Sequence, residues 1–273
     1  MNDDAKLIAK MTPMLRRVLI VDPQPAGARL LADLMRSIAN SQVMIAPSGR
    51  KALAMTLEHD FQIIFVERSG PDTDGVDFTR RLRRSDAICR TAPVVMMTAE
   101  ATAQSIIAAR DAGVSEFLRK PFTTKDLLRR LTAVTLHGRD WIEAVNYIGP
   151  DRRRFNSGDY KGALKRKSDV KQTPADARIQ QSLRILKAAA AAVERDPTQA
   201  LRAMLAQTNE LQKASVAVKN TALTAASATL QSYLTGVVQK TQPFSTAEAT
   251  RRVAPLMTHL VEEPPGVGKP RAA

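Results

Sequence analysis

One cysteine, Cys89, stands in 273 residues. No intramolecular disulfide can form, and such a chain suits a reducing compartment. Aromatic residues are also few, at 4%, so core volume has to come mostly from Leu, Ile, Val, Met and Ala. No apolar run approaches the roughly 20 residues of a membrane span. The first 17 residues carry Asp3, Asp4 and interrupting Lys and Arg in place of an apolar signal core, so export is not expected and a cytoplasmic site is. His59, His137 and His259 are scattered. Neither a Ser/His/Asp set nor zinc spacing is present, and the chain is read as a non-enzyme with no bound cofactor.

Acidic charge is the minority. Net charge is +14, from 41 Lys and Arg against 27 Asp and Glu. The excess runs along the chain and is densest near 152–171. Diffuse positive charge favours nucleic acid, anionic lipid or acidic protein surfaces alike, and does not choose among them.

What is present begins with alternation. Val18-Leu19-Ile20-Val21 is a β-branched run ending at Asp22, the pattern of a strand buried on both faces. Residues 27–38 place Leu30, Leu31, Leu34, Met35 and Ile38 at helical spacing. Val43 to Ile45, Phe61 to Val66, Pro93 to Met97 and Val114 to Leu118 read as four more strands. Helices over 50–58, 76–84 and 102–112 lie between them. Gly113 closes the last of these, and Thr123 with Asp126 forms a capping box for a final helix. Five strands alternating with five helices predict a doubly wound, flavodoxin-like parallel sheet. In such sheets the site lies beyond the carboxyl ends of the strands.

The residues at those ends are Asp22, Glu67, Thr98 and the pair Lys120-Pro121. Together with Val18-Leu19-Ile20-Val21-Asp22, with Pro71 four and Gly75 eight residues after Glu67, and with Lys120-Pro121-Phe122, they resemble the receiver domain of response regulators, chemotaxis receivers included. The resemblance covers about residues 15–138 and implies two-component signal transduction. It also implies roles: Asp22 in the acidic corner, Glu67 at the phosphoacceptor position, Thr98 as switch hydroxyl, Phe117 as rotating aromatic, Lys120 as phosphate-binding lysine. Nothing resembles a transmitter kinase, cyclase or phosphodiesterase output.

Two departures matter. The second acid of the family's magnesium-binding pair is replaced by Pro23, which supplies no ligand. Magnesium prefers near-octahedral oxygen coordination anchored by carboxylates, so binding there is weak at best. The acceptor aspartate is replaced by Glu67, whose longer arm displaces its oxygens from the position for in-line attack. Glu67 then has two readings. Its carboxylate approaches Lys120 and Thr98 as a phosphoryl oxygen would, biasing a two-state equilibrium without chemistry, or it pairs with Lys120 in a decayed pocket.

Residues 139–174 read as a basic linker. Asp140 to Ile148 is a short amphipathic segment holding the one tryptophan, Trp141, and Gly149-Pro150-Asp151 is a turn signal. Arg152, Arg153, Arg154, Lys165, Arg166 and Lys167 supply the charge. Tyr-Ile-Gly-Pro-Asp-Arg-Arg-Arg resembles an extension that follows some alphaproteobacterial receiver domains. Phosphate contacts could come from these cations, but nothing specifies bases, so nucleic acid ranks below a protein partner.

After Pro174 the chain turns helical, and 175–260 is expected as a bundle or coiled-coil-like region. Asp196-Pro197 reads as an N-cap followed by proline at the first helical position. No proline interrupts 198–242, and an unbroken helix over 197–240 would span about 66 Å. Val216, Leu223, Leu230 and Val237 recur every seven residues, which makes a homodimer through this region one expectation. A short helix over 245–260 and a disordered tail over 261–273 complete the reading. The favoured partner face is the fourth helix, fifth strand and fifth helix of the receiver, with Asp111, Glu116, Arg119 and Arg129 as exposed contacts. The competing readings are a phosphorelay regulator still phosphorylated in the pocket and a nucleic-acid binder through the linker.

Overall fold

The structure is a computed structural model, and it describes residues 3–100, 102–152 and 173–261. The chain divides into two compact units. One holds residues 1–142 with 147–160, the other 143–146 with 161–273.

The first unit is built on five parallel strands, β1 (Arg17–Val21), β2 (Gln42–Ala46), β3 (Ile63–Glu67), β4 (Val94–Thr98) and β5 (Glu116–Arg119), in the order β2-β1-β3-β4-β5. β1, β3 and β4 are buried almost throughout and the two edge strands are not. That is why the central strands read as continuous apolar runs. Alternate side chains go to opposite faces. Leu19, Val21, Ile64, Val66 and Met96 pack under α3 (Gly49–Glu58), α4 (Gly75–Arg84) and α5 (Ala103–Asp111), meeting Met55, Phe78, Leu82 and Ala109. Val18, Ile20, Ile63, Phe65 and Met97 pack under α2 (Pro25–Ala39) and α6 (Thr124–Thr135), meeting Leu31, Met35, Leu127 and Leu131. An unforeseen helix, α1 (Asp3–Met11), adds Met11 to that second layer.

The expected caps are in place. Thr123 accepts from Asp126 N while the Asp126 carboxylate accepts from Thr123 N. The fifth strand starts two residues later than expected. Val114 and Ser115 form the corner after Gly113, whose φ of +92° only glycine adopts at little cost.

The segment expected as a linker is folded over its described part. Trp141–Glu143 (β6) and Ile148–Pro150 (β7) form a two-stranded sheet, so 139–152 is not a free linker and Gly149-Pro150 lies in a strand. Arg153, Arg154, Lys165, Arg166 and Lys167 lie outside the described residues, as does the tail from 262.

The second unit packs α7 (Pro174–Ala191), α8 (Pro197–Ala217), α9 (Thr221–Val238) and α10 (Thr246–Met257) around Leu183, Leu186, Met204, Leu211, Leu223, Leu230, Leu234 and Leu256. Asp196 caps α8, accepting from Gln199 N. An unbroken helix over 197–240 is not what forms. Lys219 turns left-handed at φ +55°, and Asn220 restarts the chain by accepting from Leu223 N at 3.0 Å. The seven-residue stripe is split accordingly. Leu223 and Leu230 are core, whereas Val216 is 63% exposed. The four described helices form a bundle. In its core Gln199 Nε2 donates to Glu143 Oε1 at 2.9 Å and Gln207 Nε2 to the Glu143 carbonyl at 2.9 Å, so buried amides of α8 satisfy a residue 56 and 64 positions earlier in the chain.

Candidate functional site

Register decides which residues meet at the carboxyl edge. Val21 lies opposite Val66, Glu67 opposite Met97 and Thr98 opposite Arg119. Asp22, Glu67, Thr98 and Lys120 therefore leave the sheet at nearly one level, where the chain turns from strand to loop.

Lys120 occupies the middle. Its Nζ donates to Glu67 Oε2 at 2.5 Å and to Asp22 Oδ2 at 2.8 Å. The Asp22 side chain is 1% exposed, that of Glu67 13% and that of Lys120 25%. The remaining carboxylate oxygens are also used. Asp22 Oδ1 accepts from Gln24 N at 2.8 Å at the entry to α2, and Glu67 Oε1 accepts from Arg68 N at 3.2 Å. Burial works against the Lys120 charge, but the hydrogen bonds to Asp22 and Glu67 outweigh it and raise its proton affinity above the ordinary value of 10.5.

Thr98 does not join the clasp. It is buried, its Oγ1 donates to the Glu100 carbonyl at 2.8 Å, and it accepts from Glu100 N at 3.1 Å. This is a local turn of the kind strand-end hydroxyls make. Phe117 is partly buried against the α3–α4–α5 layer. The site thus brings together Asp22, Glu67 and Lys120, and leaves Thr98 and Phe117 in neighbouring positions.

Two glycines shape the pocket and were not singled out from sequence. A Cβ on Gly27 would lie 3.4 Å from Asp22 Oδ2 and 3.8 Å from Lys120 Nζ, so a larger residue would cover the clasp. A Cβ on Gly70 would lie 2.6 Å from Pro23 Cγ. The pyrrolidine ring of Pro23 is packed against that glycine. For a divalent cation the strand ends offer the carboxylates of Asp22 and Glu67, one oxygen of each already held by an ammonium. Among the described residues no group of three His, Cys, Asp or Glu side chains is arranged for a metal. No described helix is long and apolar enough to cross a membrane.

The contacts proposed for the partner face are not all free. Asp111 pairs with Arg152 at 2.7 Å and with Arg110 at 3.3 Å, Glu116 pairs with Arg130 at 3.0 Å, and Arg129 pairs with Asp126 at 3.4 Å. Arg119 is exposed.

A five-stranded parallel sheet with acids, a threonine and a lysine at its carboxyl edge is the architecture of a receiver-type domain. The sequence comparisons agree: residues 18–132 match the response regulator receiver domain. The chain is 31% identical to chemotaxis protein CheY-3 of Vibrio cholerae over 118 residues, which is 43% of this chain and 90% of that protein. It is 30% identical to chemotaxis protein CheY of Pseudomonas aeruginosa, over 43% of this chain and 94% of that one. Among solved structures, Vibrio cholerae chemotaxis protein CheY4 superposes on 44% of this chain and 98% of its own, with 26% identity and a TM-score of 0.42. The chain belongs to the response regulator receiver family.

Proposed function

We propose that this receiver signals without accepting a phosphoryl group, with Glu67 standing in the phosphoacceptor position and the domain acting through protein–protein contact. The observation that carries this is the clasp in which one ammonium, Lys120, holds both Glu67 and Asp22. A lysine free to take a phosphoryl oxygen would have to leave two largely buried carboxylates behind, and separating a buried ion pair costs several kcal/mol, roughly 3–5. Magnesium is disfavoured in the same pocket, because its donors are few and already occupied.

The partner is a protein of a signalling pathway, met on the face formed by α5, β5 and α6, and the helical unit docks a second partner or a second copy of the chain. The protein acts in the cytoplasm, as a non-enzyme. In this reading Glu67 fixes the conformation that the partner binds.

The test is partner affinity for the full chain as wild type, Glu67→Ala and Glu67→Gln, using whichever protein the wild type captures. Both variants are expected to change affinity about tenfold, within the range of coupling free energies between sites. Equal affinity for all three forms would mean a decayed pocket that no partner reads.

A further inference from the structure

The Tyr-Ile-Gly-Pro-Asp-Arg segment is left unexplained by the pocket, and it is bound closely to the receiver. Gly149 crosses Gly113 so tightly that a Cβ on Gly149 would lie 2.6 Å from Gly113 Cα, and a Cβ on Gly113 would run into the Ile148 carbonyl. The glycine of the motif is thus needed for a backbone crossing, not for a flexible turn. Arg152 Nη1 reaches Asp111 Oδ1 at 2.7 Å, its guanidinium lies 4.1 Å from the centre of the Tyr147 ring, and the Tyr147 hydroxyl donates to the Pro150 carbonyl at 2.5 Å. Burial works against the Asp111 charge, yet the hydrogen bond and charge of Arg152, aided by Arg110, hold its carboxyl below the ordinary range. Beneath the crossing, Arg83 donates to the Gly113 carbonyl through Nε and Nη2 and lies 5.0 Å from the Trp141 ring. Arg139 donates to the Ser115 carbonyl.

The contacts made by Gly149 to Gly113, Arg152 to Asp111, Arg83 to Gly113 and Arg139 to Ser115 fall on one corner, Asp111 to Ser115. It joins α5, which follows Thr98 and Glu100, to β5, which ends at Arg119 next to Lys120.

We infer that the Tyr147–Arg152 strap is a latch, supplied by the chain itself, that sets the position of the α5–β5 corner and through β5 the seating of Lys120 in its clasp. The latch gives the receiver an input distant from the carboxyl edge. The strap is also held by its pairing with β6, by Asp151 N donating to the Asp140 carbonyl at 2.7 Å and by Arg139 Nη1 donating to the Asp151 carbonyl at 3.3 Å, and the Arg152–Asp111 pair is its exposed, releasable contact. Coupling through a shared element is reciprocal, so what loosens the strap loosens the clasp and the converse. The inference stands whether or not Glu67 accepts phosphate.

Hydrogen exchange on the full chain tests it. Arg152→Asp places two carboxylates together and is expected to speed exchange tenfold or more in peptides covering 147–152, in 103–118 and at 117–120, with a change in Trp141 emission. Adding Asp111→Arg should restore all of them. In the reverse direction, Glu67→Gln should alter exchange in 147–152. Gly113→Ala, which acts on the crossing instead of the ion pair, guards against a local effect of the charge. If either variant frees 147–152 while 103–120 exchanges as in wild type, or if neither variant frees 147–152, the strap is a passive brace and the latch is wrong.

Discussion

Replacing Lys120 by Met is expected to lower the unfolding free energy of the receiver by about 3 kcal/mol, because the loss is an uncompensated buried charge more than a missing contact. Asp22 and Glu67 would face each other with the shared ammonium gone, and Asp22 is 2% exposed as a residue. Urea unfolding followed through Trp141, the one tryptophan, gives the number. Adding Asp22→Asn and Glu67→Gln to Lys120→Met should return most of it, since replacing every charge of a buried cluster is far cheaper than orphaning some of them. The pH dependence has a definite sign. Lys120 holds its proton more tightly in the folded state than its ordinary 10.5. Its contribution is therefore complete below about pH 10.5 and fades only as pH rises through the raised value. The gap between wild type and Lys120→Met should be undiminished from neutral pH to pH 10. A gap that closes between neutral pH and pH 10 would show that Lys120 is not held by the two carboxylates.

Arg83→Met is expected to cost a similar amount, about 3–4 kcal/mol, although Arg83 touches neither pocket nor partner face. Arg83 is 1% exposed and donates to three main-chain carbonyls: Gly113 through two nitrogens at 2.9 and 3.2 Å, Arg90 at 2.5 Å and Ala92 at 2.8 Å. Methionine fills the volume but leaves those acceptors buried and unpaired, and hydrogen bonds to a charged donor are worth roughly 1.5–3 kcal/mol each, with heavy overlap inside one network. Arg83→Lys should recover little, because a single ammonium cannot span three carbonyls that a planar fork reaches together. A fall under about 1 kcal/mol for Arg83→Met would mean that water takes over those carbonyls.

The sheet was legible because its physics is local. Val18 to Val21 and Pro93 to Met97 are apolar runs too short for helices, and the acids and lysine that follow them mark where strands end. Positions at strand ends converge once register is parallel, so Asp22, Glu67 and Lys120 could be grouped before any coordinates. The direction of the Thr98 hydroxyl could not, because a strand-end threonine has a local carbonyl within reach as well as a pocket. The strap was misread for a related reason. Gly149-Pro150 is a turn signal in isolation, and only Gly113, 36 residues earlier, shows why a glycine is required there. The break between α8 and α9 has no proline or glycine to announce it. Asn220 is a good N-cap, but a single asparagine in an alanine-rich stretch does not compel a stop. α1 carries Leu7, Ile8 and Met11 at helical spacing, yet nine residues are too few to declare a helix without the face they pack against.

The central claim is that the clasp of Glu67, Asp22 and Lys120 makes this receiver act by shape in place of group transfer. Intact mass after incubation of the full chain with phosphoramidate and magnesium tests it most directly, with Glu67→Asp/Pro23→Asp, which supplies an aspartate at both positions, as the positive control. The account predicts an unchanged mass for the wild type and a gain of one phosphoryl group for the double variant. A stable phosphoryl adduct on the wild-type chain that disappears in Glu67→Gln would contradict it.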